Sequence, residues 1–223
     1  MKKIRIVIVE ASIEKVPKDL HKHPAIQNDA RRRRRSPDKI LLYLPIHYTA
    51  LLSKGISTTK RGRPDILHRL LLLIQDHPLN KMGLIETYFH TTNDEIYWVN
   101  PETRPPIHFY GFEGLMIQLI EKGRIPPEKE PTLIKRLDLT LEQLVREGDR
   151  EVYALEKDGI EIWKTDIKKI FGNTLLIGGF QEGEYRRDIA DLIDYRLSLA
   201  KETLKASTAA CMALTMLYQS IRI

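Results

Sequence analysis

The sequence predicts an α/β fold: a mostly parallel sheet with flanking helices. Three observations carry this. Strand-like runs alternate with helix-like segments along the chain. Residues 6–9, Ile-Val-Ile-Val, are continuously apolar, as in a strand covered on both faces. The 223 residues, 42% of them apolar, are enough to fill one sizeable core.

Taken in order, residues 3–9 alternate and then turn apolar, a first strand with a buried second half. Residues 20–40 hold two histidines, a proline, five consecutive arginines and Ser36-Pro37, and read as a polar loop or helix edge. An apolar stretch over 39–44 is stopped by Pro45, residues 46–54 are helical or irregular, and 55–59 are loop. Pro64 suits a first helical turn, and residues 66–75 are apolar all round, a buried helix ended by Pro78. Strands follow at 84–90 and 96–99, joined by a turn at Asn93-Asp94. A long loop from Asn100 to Pro106 leads to an amphipathic helix at 111–122 that ends at Gly123. Pro126, Pro127 and Pro131 mark a linker, and residues 137–147 read as a helix with Asp138 or Thr140 as N-cap. Further on come short strands at 151–155, 161–165 and 173–177, a glycine-rich loop at 178–183, a helix at 185–195 and a terminal helix at 201–221.

Composition excludes several classes. A single cysteine, Cys211, rules out an intrachain disulfide and a cysteine-based zinc site, and fits a reducing compartment. The apolar stretches are too short to span a membrane, and the N-terminus has no signal-peptide pattern. A soluble cytoplasmic protein without membrane contact is expected. His21 and His23 lie near Asp29, but single-residue spacing in a polar loop is a poor metal signature, so no metal is expected.

The net charge is +6, and its distribution is informative. Residues 1–40 contain twelve Lys or Arg against five acids, whereas the rest of the chain holds twenty-four against twenty-five. Arg31, Arg32, Arg33, Arg34 and Arg35 repel one another and are not expected to be buried. A polyanion relieves that repulsion by displacing condensed counterions, which makes nucleic acid the natural partner; a solvated basic loop without a ligand is the alternative.

Two local patterns point to chemistry. Parallel sheets bind ligands at the carboxyl ends of their strands, and Gly178-Gly179 stands at such an end, with Gly183 five residues beyond Gly178. The spacing matches neither a dinucleotide fingerprint nor a phosphate loop, and alone it is equally an ordinary glycine turn. In the second pattern Pro64 stiffens its surroundings, and Asp65 can pair with Arg63 and aim it. An arginine held in a fixed pose can grip a phosphate or stack on a base. The alternative is a helix start with an acid near the positive dipole end and an exposed arginine.

Together these motifs resemble a known family. Ile177-Gly178-Gly179-Phe180, Gly183, and Leu197-Ser198-Leu199 before a helix with Leu204 and Ala206 resemble the cofactor end of a SPOUT-class methyltransferase. Lys60-Arg61-Gly62-Arg63-Pro64-Asp65-Ile66 followed by His68 resembles the signature of the small-subunit ribosomal RNA pseudouridine-N1-specific branch, and Asn100-Pro101 through Arg104, with Gly114-Leu115-Met116, resembles a second segment of it. The resemblance implies one domain over residues 1–223 with a C-terminal trefoil knot from about 150, and RNA-binding elements near 20–40, 60–65 and 100–112. It implies S-adenosyl-L-methionine held by Gly178, Gly183 and the stretch Arg196, Leu197, Ser198, Leu199, Ala200 and Lys201. It implies that Arg63 contacts the RNA, that Asp65 holds Arg63, and that Arg104 is a further RNA contact.

Where the family often has more arginine, this chain has Ile107 and Gly111, and the arginine run at 31–35 is a candidate substitute. The implied function is methylation of N1 of a flipped-out pseudouridine during small-subunit biogenesis, with Arg63 and Asp65 as the candidate catalytic pair and Asp65 orienting rather than accepting a proton. A homodimer is expected, with Ala209, Met212, Leu214 and Leu217 as one available face. The alternatives are an RNA-binding assembly factor in which chemistry is secondary, and a related enzyme acting on another nucleotide.

Overall fold

The first strand, β1 (Ile4–Ala11), is buried along its whole length, including the half that alternates in sequence. Arg5 is the reason. Its side chain is enclosed by Glu86 at 3.1 Å, Glu147 at 2.8 Å and the carbonyl of Leu144 at 2.7 Å. A charge is tolerated inside a protein when it is paired and hydrogen-bonded, so the alternation marks a saturated ion pair instead of a solvent face. The computed structural model describes residues 1–222.

After β1 come α1 (Pro24–Arg32), α2 (Leu44–Leu52), α3 (Pro64–Asp76) and the single-turn α4 (Pro78–Lys81). Next are β2 (Ile85–Thr91), β3 (Ile96–Val99), α5 (Phe109–Lys122), the short β4 (Arg124–Ile125) and β5 (Ile134–Leu137). The rest comprises α6 (Leu141–Arg146), β6 (Val152–Glu161), β7 (Thr174–Gly178), α7 (Arg187–Ala190), β8 (Tyr195–Ser198) and α8 (Ala206–Ser220). The strands form one sheet of order β4-β5-β3-β2-β1-β7-β6-β8. From β2 to β8 the pairings are parallel; β3, β5 and β4 extend the β2 side in antiparallel fashion.

Both faces are covered. Ile4, Ile6 and Ile8 of β1 join α3, α5 and α8 in one apolar layer, while Val7 and Val9 join α6 and Ile189 of α7 in another. The α1–α2 region has its own small core around Leu20, Ile26, Leu42 and Leu51. Residues 156–160 leave the β6–β8 ladder and return, so that Leu197 pairs with both Leu155 and Ile160.

Several expectations need correction. Residues 24–32 are a helix, capped by His23, whose Nδ1 accepts from the amide of Ala25 at 3.2 Å. Pro45 lies in the first turn of α2, where a missing amide costs nothing, so it starts a helix where a stop was expected. Residues 162–164 form a 3-10 turn, not a strand. The helix expected over 185–195 shrinks to the four residues of α7 because Tyr195 and its neighbours pair with β6, and Tyr195 stacks on Tyr153 at 4.8 Å. Leu137 belongs to β5, and α6 starts behind Thr140, which forms a capping box with Gln143.

The arginine run is also not wholly exposed. The Arg33 side chain is 7% exposed, held by Glu113 and, at 2.8 Å, by Asp29. Asp29, itself fully enclosed, also accepts from His47 at 3.1 Å and Arg32 at 2.9 Å. Burial works to raise the pKa of Asp29, but the bond to His47 and the arginine charges outweigh it and hold the group below its ordinary value. Its stabilisation is therefore present above the ordinary carboxylate pKa and fades as pH falls through the depressed value. Asp29→Ala is expected to cost about 3 kcal/mol at pH 7, because it takes a carboxylate from the buried Arg33 guanidinium and leaves the buried His47 ring without its partner. Urea unfolding should show the gap between variant and wild type narrowing below about pH 4.

Candidate active site

The site is assembled where β1 ends. Glu10, in the left-handed backbone region at φ +55°, turns a buried carboxylate towards Lys60, whose Nζ donates at 2.9 and 3.0 Å. Two residues on, Ser12 Oγ accepts from the amide of Gly62 at 2.6 Å, and Glu14 accepts from Arg61 Nε at 2.9 Å. Alternate side chains leaving one strand thus hold three consecutive residues. Gly62 has φ +66°, and a Cβ there would come within 2.9 Å of the backbone nitrogen of Leu44, so this bend requires glycine. The outcome is a fixed start for α3, with Arg63 as its N-cap and Pro64 in its first turn.

Arg63 and Asp65 form the pair that the sequence suggests. Nε and Nη2 of Arg63 donate to the two carboxylate oxygens at 2.8 and 2.9 Å. This bidentate bond raises the Arg63 pKa further above the ordinary arginine value and fixes the plane of the guanidinium. Arg69 Nη2 also donates to Asp65, at 2.6 Å, so both oxygens are engaged by cations. The remaining Nη1 of Arg63 donates to Gln181 Oε1, and Gln181 belongs to the glycine loop. No sequence signal singled out Arg69 or Gln181, because their roles arise only once α3 and the loop after β7 meet.

That loop walls a cavity of about 790 Å³ at the carboxyl ends of β6 and β7. Of the eight residues expected to hold a cofactor, Gly178, Gly183, Arg196, Leu197, Leu199 and Ala200 line it. Ser198 and Lys201 do not: Ser198 is buried with Oγ donating to the carbonyl of Ala200 at 3.0 Å, and Lys201 is exposed. Arg196 braces the wall through Glu156, at 2.6 Å between Nη1 and Oε1. Leu155, Ile177, Phe180, Tyr185 and Leu204 also line it; Leu155 and Tyr185 carry no functional mark in sequence because they read as parts of an ordinary strand and helix. The loop is fixed from both sides. Lys60 Nζ lies 4.3 Å from the centre of the Phe180 ring, and the Tyr185 hydroxyl donates to the carbonyl of Leu155 at 3.1 Å. At Gly179 a Cβ would stand 2.9 Å from Cα of Ala11, so glycine lets the loop lie directly on β1. Apolar side chains such as Leu197 and Leu199, loop backbone, and charged groups including Glu156, Asp158, Glu182 and Arg196 make up a lining that suits an organic ligand with both apolar and polar parts.

Comparison with known proteins agrees with this geometry. The family model described as EMG1/NEP1 methyltransferase matches residues 6–217. The chain belongs to this family. It is 36% identical over 205 residues to the Ribosomal RNA small subunit methyltransferase Nep1 of Staphylothermus marinus, covering 90% of this chain and 89% of that one. It is 35% identical over 218 residues to the protein of the same name from Pyrococcus furiosus, covering 93% and 92%. Among solved structures it is similar to Archaeoglobus fulgidus Nep1 bound to S-adenosylhomocysteine, with a TM-score of 0.87, 34% identity and full coverage of both chains. The α/β, SPOUT-class expectation holds.

Within that family framework the other sequence-predicted elements are placed as follows. Arg104 Nη1 donates to the carbonyls of Pro101 and Thr103 at 3.1 and 3.0 Å, so the side chain folds on to its own loop. The loop is anchored to α3 by His68, whose Nε2 is 2.6 Å from the carbonyl of Pro106 and whose ring stacks on Phe112 at 4.5 Å. Ile107 is fully solvent-facing. The arginine run packs on α5, the helix that carries Gly111, instead of on the Arg63 loop. His21 bonds to the carbonyl of Val16 and His23 caps α1; among the described residues no group of three metal-ligating side chains occurs. No helix of the described residues is long and apolar enough to cross a membrane. Gly179→Ala is expected to destabilise the fold by about 1–3 kcal/mol through forced backbone shifts. Chemical denaturation would reveal it, together with weakened S-adenosylhomocysteine binding by calorimetry.

Proposed function

We propose that this chain transfers a methyl group from S-adenosyl-L-methionine to N1 of a pseudouridine in small-subunit ribosomal RNA, as a step in small-subunit biogenesis in the cytoplasm. One observation carries the reading: Arg63, aligned by Asp65, also donates to Gln181 of the loop that walls the large cavity. A substrate-side cation and a ligand-sized cavity therefore share a boundary. The names of the relatives and the S-adenosylhomocysteine in the Archaeoglobus structure support the same reading.

The apolar side chains of Leu197, Leu199 and Leu204 and the backbone of Gly178 and Gly183 would hold the adenosyl moiety. When bound, the donor supplies an electrophilic methyl carbon, which leaves positioning and charge stabilisation to the protein. Pseudouridine presents a ring N1–H on the edge away from its glycosidic carbon, and removal of that proton creates the nucleophile. A base inside a stack cannot reach the cavity, so the nucleotide is turned out. Arg63 then holds the displaced nucleotide or offsets the negative charge developing on its ring. Asp65 orients Arg63; with both oxygens bonded to guanidiniums it is a poor proton acceptor.

Arg104 and the run Arg31, Arg32, Arg33, Arg34 and Arg35 extend the RNA surface in this proposal. A homodimer belongs to it too, with Met212 as the exposed part of the expected face, since Leu214 and Leu217 lie in the chain's own core and Ala209 packs against that core and lines the large cavity. A second reading, in which RNA handling during assembly outweighs chemistry, is favoured by the excess charge confined to residues 1–40.

The test is mass spectrometry of matched hairpins carrying pseudouridine or uridine after incubation with protein and donor. Methylation of the pseudouridine hairpin alone is expected; equal methylation of both would point to another nucleotide atom. Arg63→Ala should lower kcat/KM by about 10²–10³-fold, on the scale of losing one transition-state donor. Calorimetry should find S-adenosylhomocysteine affinity nearly unchanged in that variant. Full activity in Arg63→Ala would remove the clamp from the mechanism.

A further inference from the structure

A second concavity, of about 430 Å³, lies between the end of α1 and the first half of α5, lined by Arg32, Arg33, Arg35, Tyr110 and Glu113. It shares no lining residue with the large cavity. Its two neighbouring carboxylates are already engaged. Glu113 accepts from Arg33 and from the amide of Leu41 at 3.0 Å, and Asp29 accepts from His47 and Arg32. Arg35, by contrast, has no carboxylate partner among the described residues, and its guanidinium lies along α5 where Gly114 has no side chain, 3.4 Å from the place of a Cβ.

Arg33 is the more telling residue. Although its side chain is more than nine-tenths buried, Nε has no hydrogen-bond acceptor; Nη2 also lacks one of proper alignment, while standing 2.8 Å from Asp29 Oδ2. An unsatisfied buried donor costs about 1–3 kcal/mol, more when charged, and an anionic oxygen entering the concavity would remove that cost. The guanidinium carbon sits 4.7 Å from the centre of the Tyr110 ring, and Tyr110 remains 42% exposed, leaving ring surface for a further planar group. Cations beside an exposed aromatic ring suit a nucleotide: phosphate to the guanidiniums, base to the ring.

The concavity is also connected to the proposed reaction site. Phe109, next to Tyr110, stacks at 4.9 Å on Tyr43. Leu44, the residue after Tyr43, donates its amide to the carbonyl of Gly62, the residue before Arg63, at 2.7 Å. Tyr43 and Phe109 thus lie between the Arg63 bend and the arginine concavity.

We propose that this concavity is a second RNA subsite, seating one nucleotide of the substrate strand away from the target base, with its phosphodiester on Arg32, Arg33 and Arg35 and its base on Tyr110. The inference rests on the reading of RNA as substrate and says which arginines of the run do the binding.

Two double variants that each remove two charges separate this from diffuse attraction. Arg32→Ser with Arg35→Ser alters the concavity; Arg31→Ser with Arg34→Ser alters exposed arginines that do not line it. The probe is a labelled pseudouridine hairpin, titrated by fluorescence anisotropy over a range of salt. The first pair should weaken binding at least 10-fold and lower the log–log salt slope by about 0.7, one phosphate contact's worth. The second pair should weaken it less than 3-fold. Tyr110→Ala should weaken binding about 5-fold, as loss of one stacked base does. Arg35→Glu breaks no ion pair and should reproduce most of the first pair's effect, and S-adenosylhomocysteine affinity serves as the control for folding. Equal losses in the two pairs, or none in either, would overturn the subsite while leaving RNA as the substrate. A wild-type protein that binds the cofactor product but not the hairpin would overturn both.

Discussion

The site depends on how the chain leaves its first strand. Between Glu10 and Glu14, carboxylate, hydroxyl and carboxylate alternate, and they hold Lys60, Gly62 and Arg61 respectively. Everything functional hangs from this brace: the start of α3, hence the pose of Arg63, and through Lys60 the seating of Phe180 in the glycine loop. The basic block at 60–63, which in sequence looks like free positive charge, is spent on internal pairing. Lys60, Arg61 and Arg63 are each paired with a carboxylate.

The same neutralisation applies further up the chain. An arginine run invites a picture of a bristling, solvated loop, but the helix around it supplies Asp29 and α5 supplies Glu113, and these two acids draw Arg33 inward. A run of like charges can therefore be split by its partners into structural and exposed members, and sequence alone gives no rule for the division. Partition follows from the helix periodicity of 29, 32 and 33 together with contacts more than seventy residues distant.

Much of the framework was legible. Strong periodic or continuous apolar segments such as residues 66–75, 84–90, 96–99 and 173–177 appear as α3, β2, β3 and β7 within a few positions. The glycine loop and the Arg63–Asp65 pair were legible because their chemistry is local: a turn after a strand, and partners two residues apart. What escaped was non-local. β8 was hidden in a stretch with helix-compatible composition because its strand state is imposed by β6. Pro45 and His23 were read as breaker and loop residue, yet both open helices, since a proline or a capping ring is as good a start as a stop. Gln181 and Arg69 acquire meaning only from the three-dimensional meeting of α3 with the loop after β7.

That meeting has a further consequence. Gln181 is fixed in sequence to one side of the site and hydrogen-bonded to the other, so the loop cannot shift without altering the surroundings of Arg63. A ligand that moves the loop therefore acts on the surroundings of Arg63 as well. Whatever factor an adenosyl occupant applies to the grip on RNA, the RNA must return to the adenosyl occupant in equal measure, because coupling between sites is reciprocal.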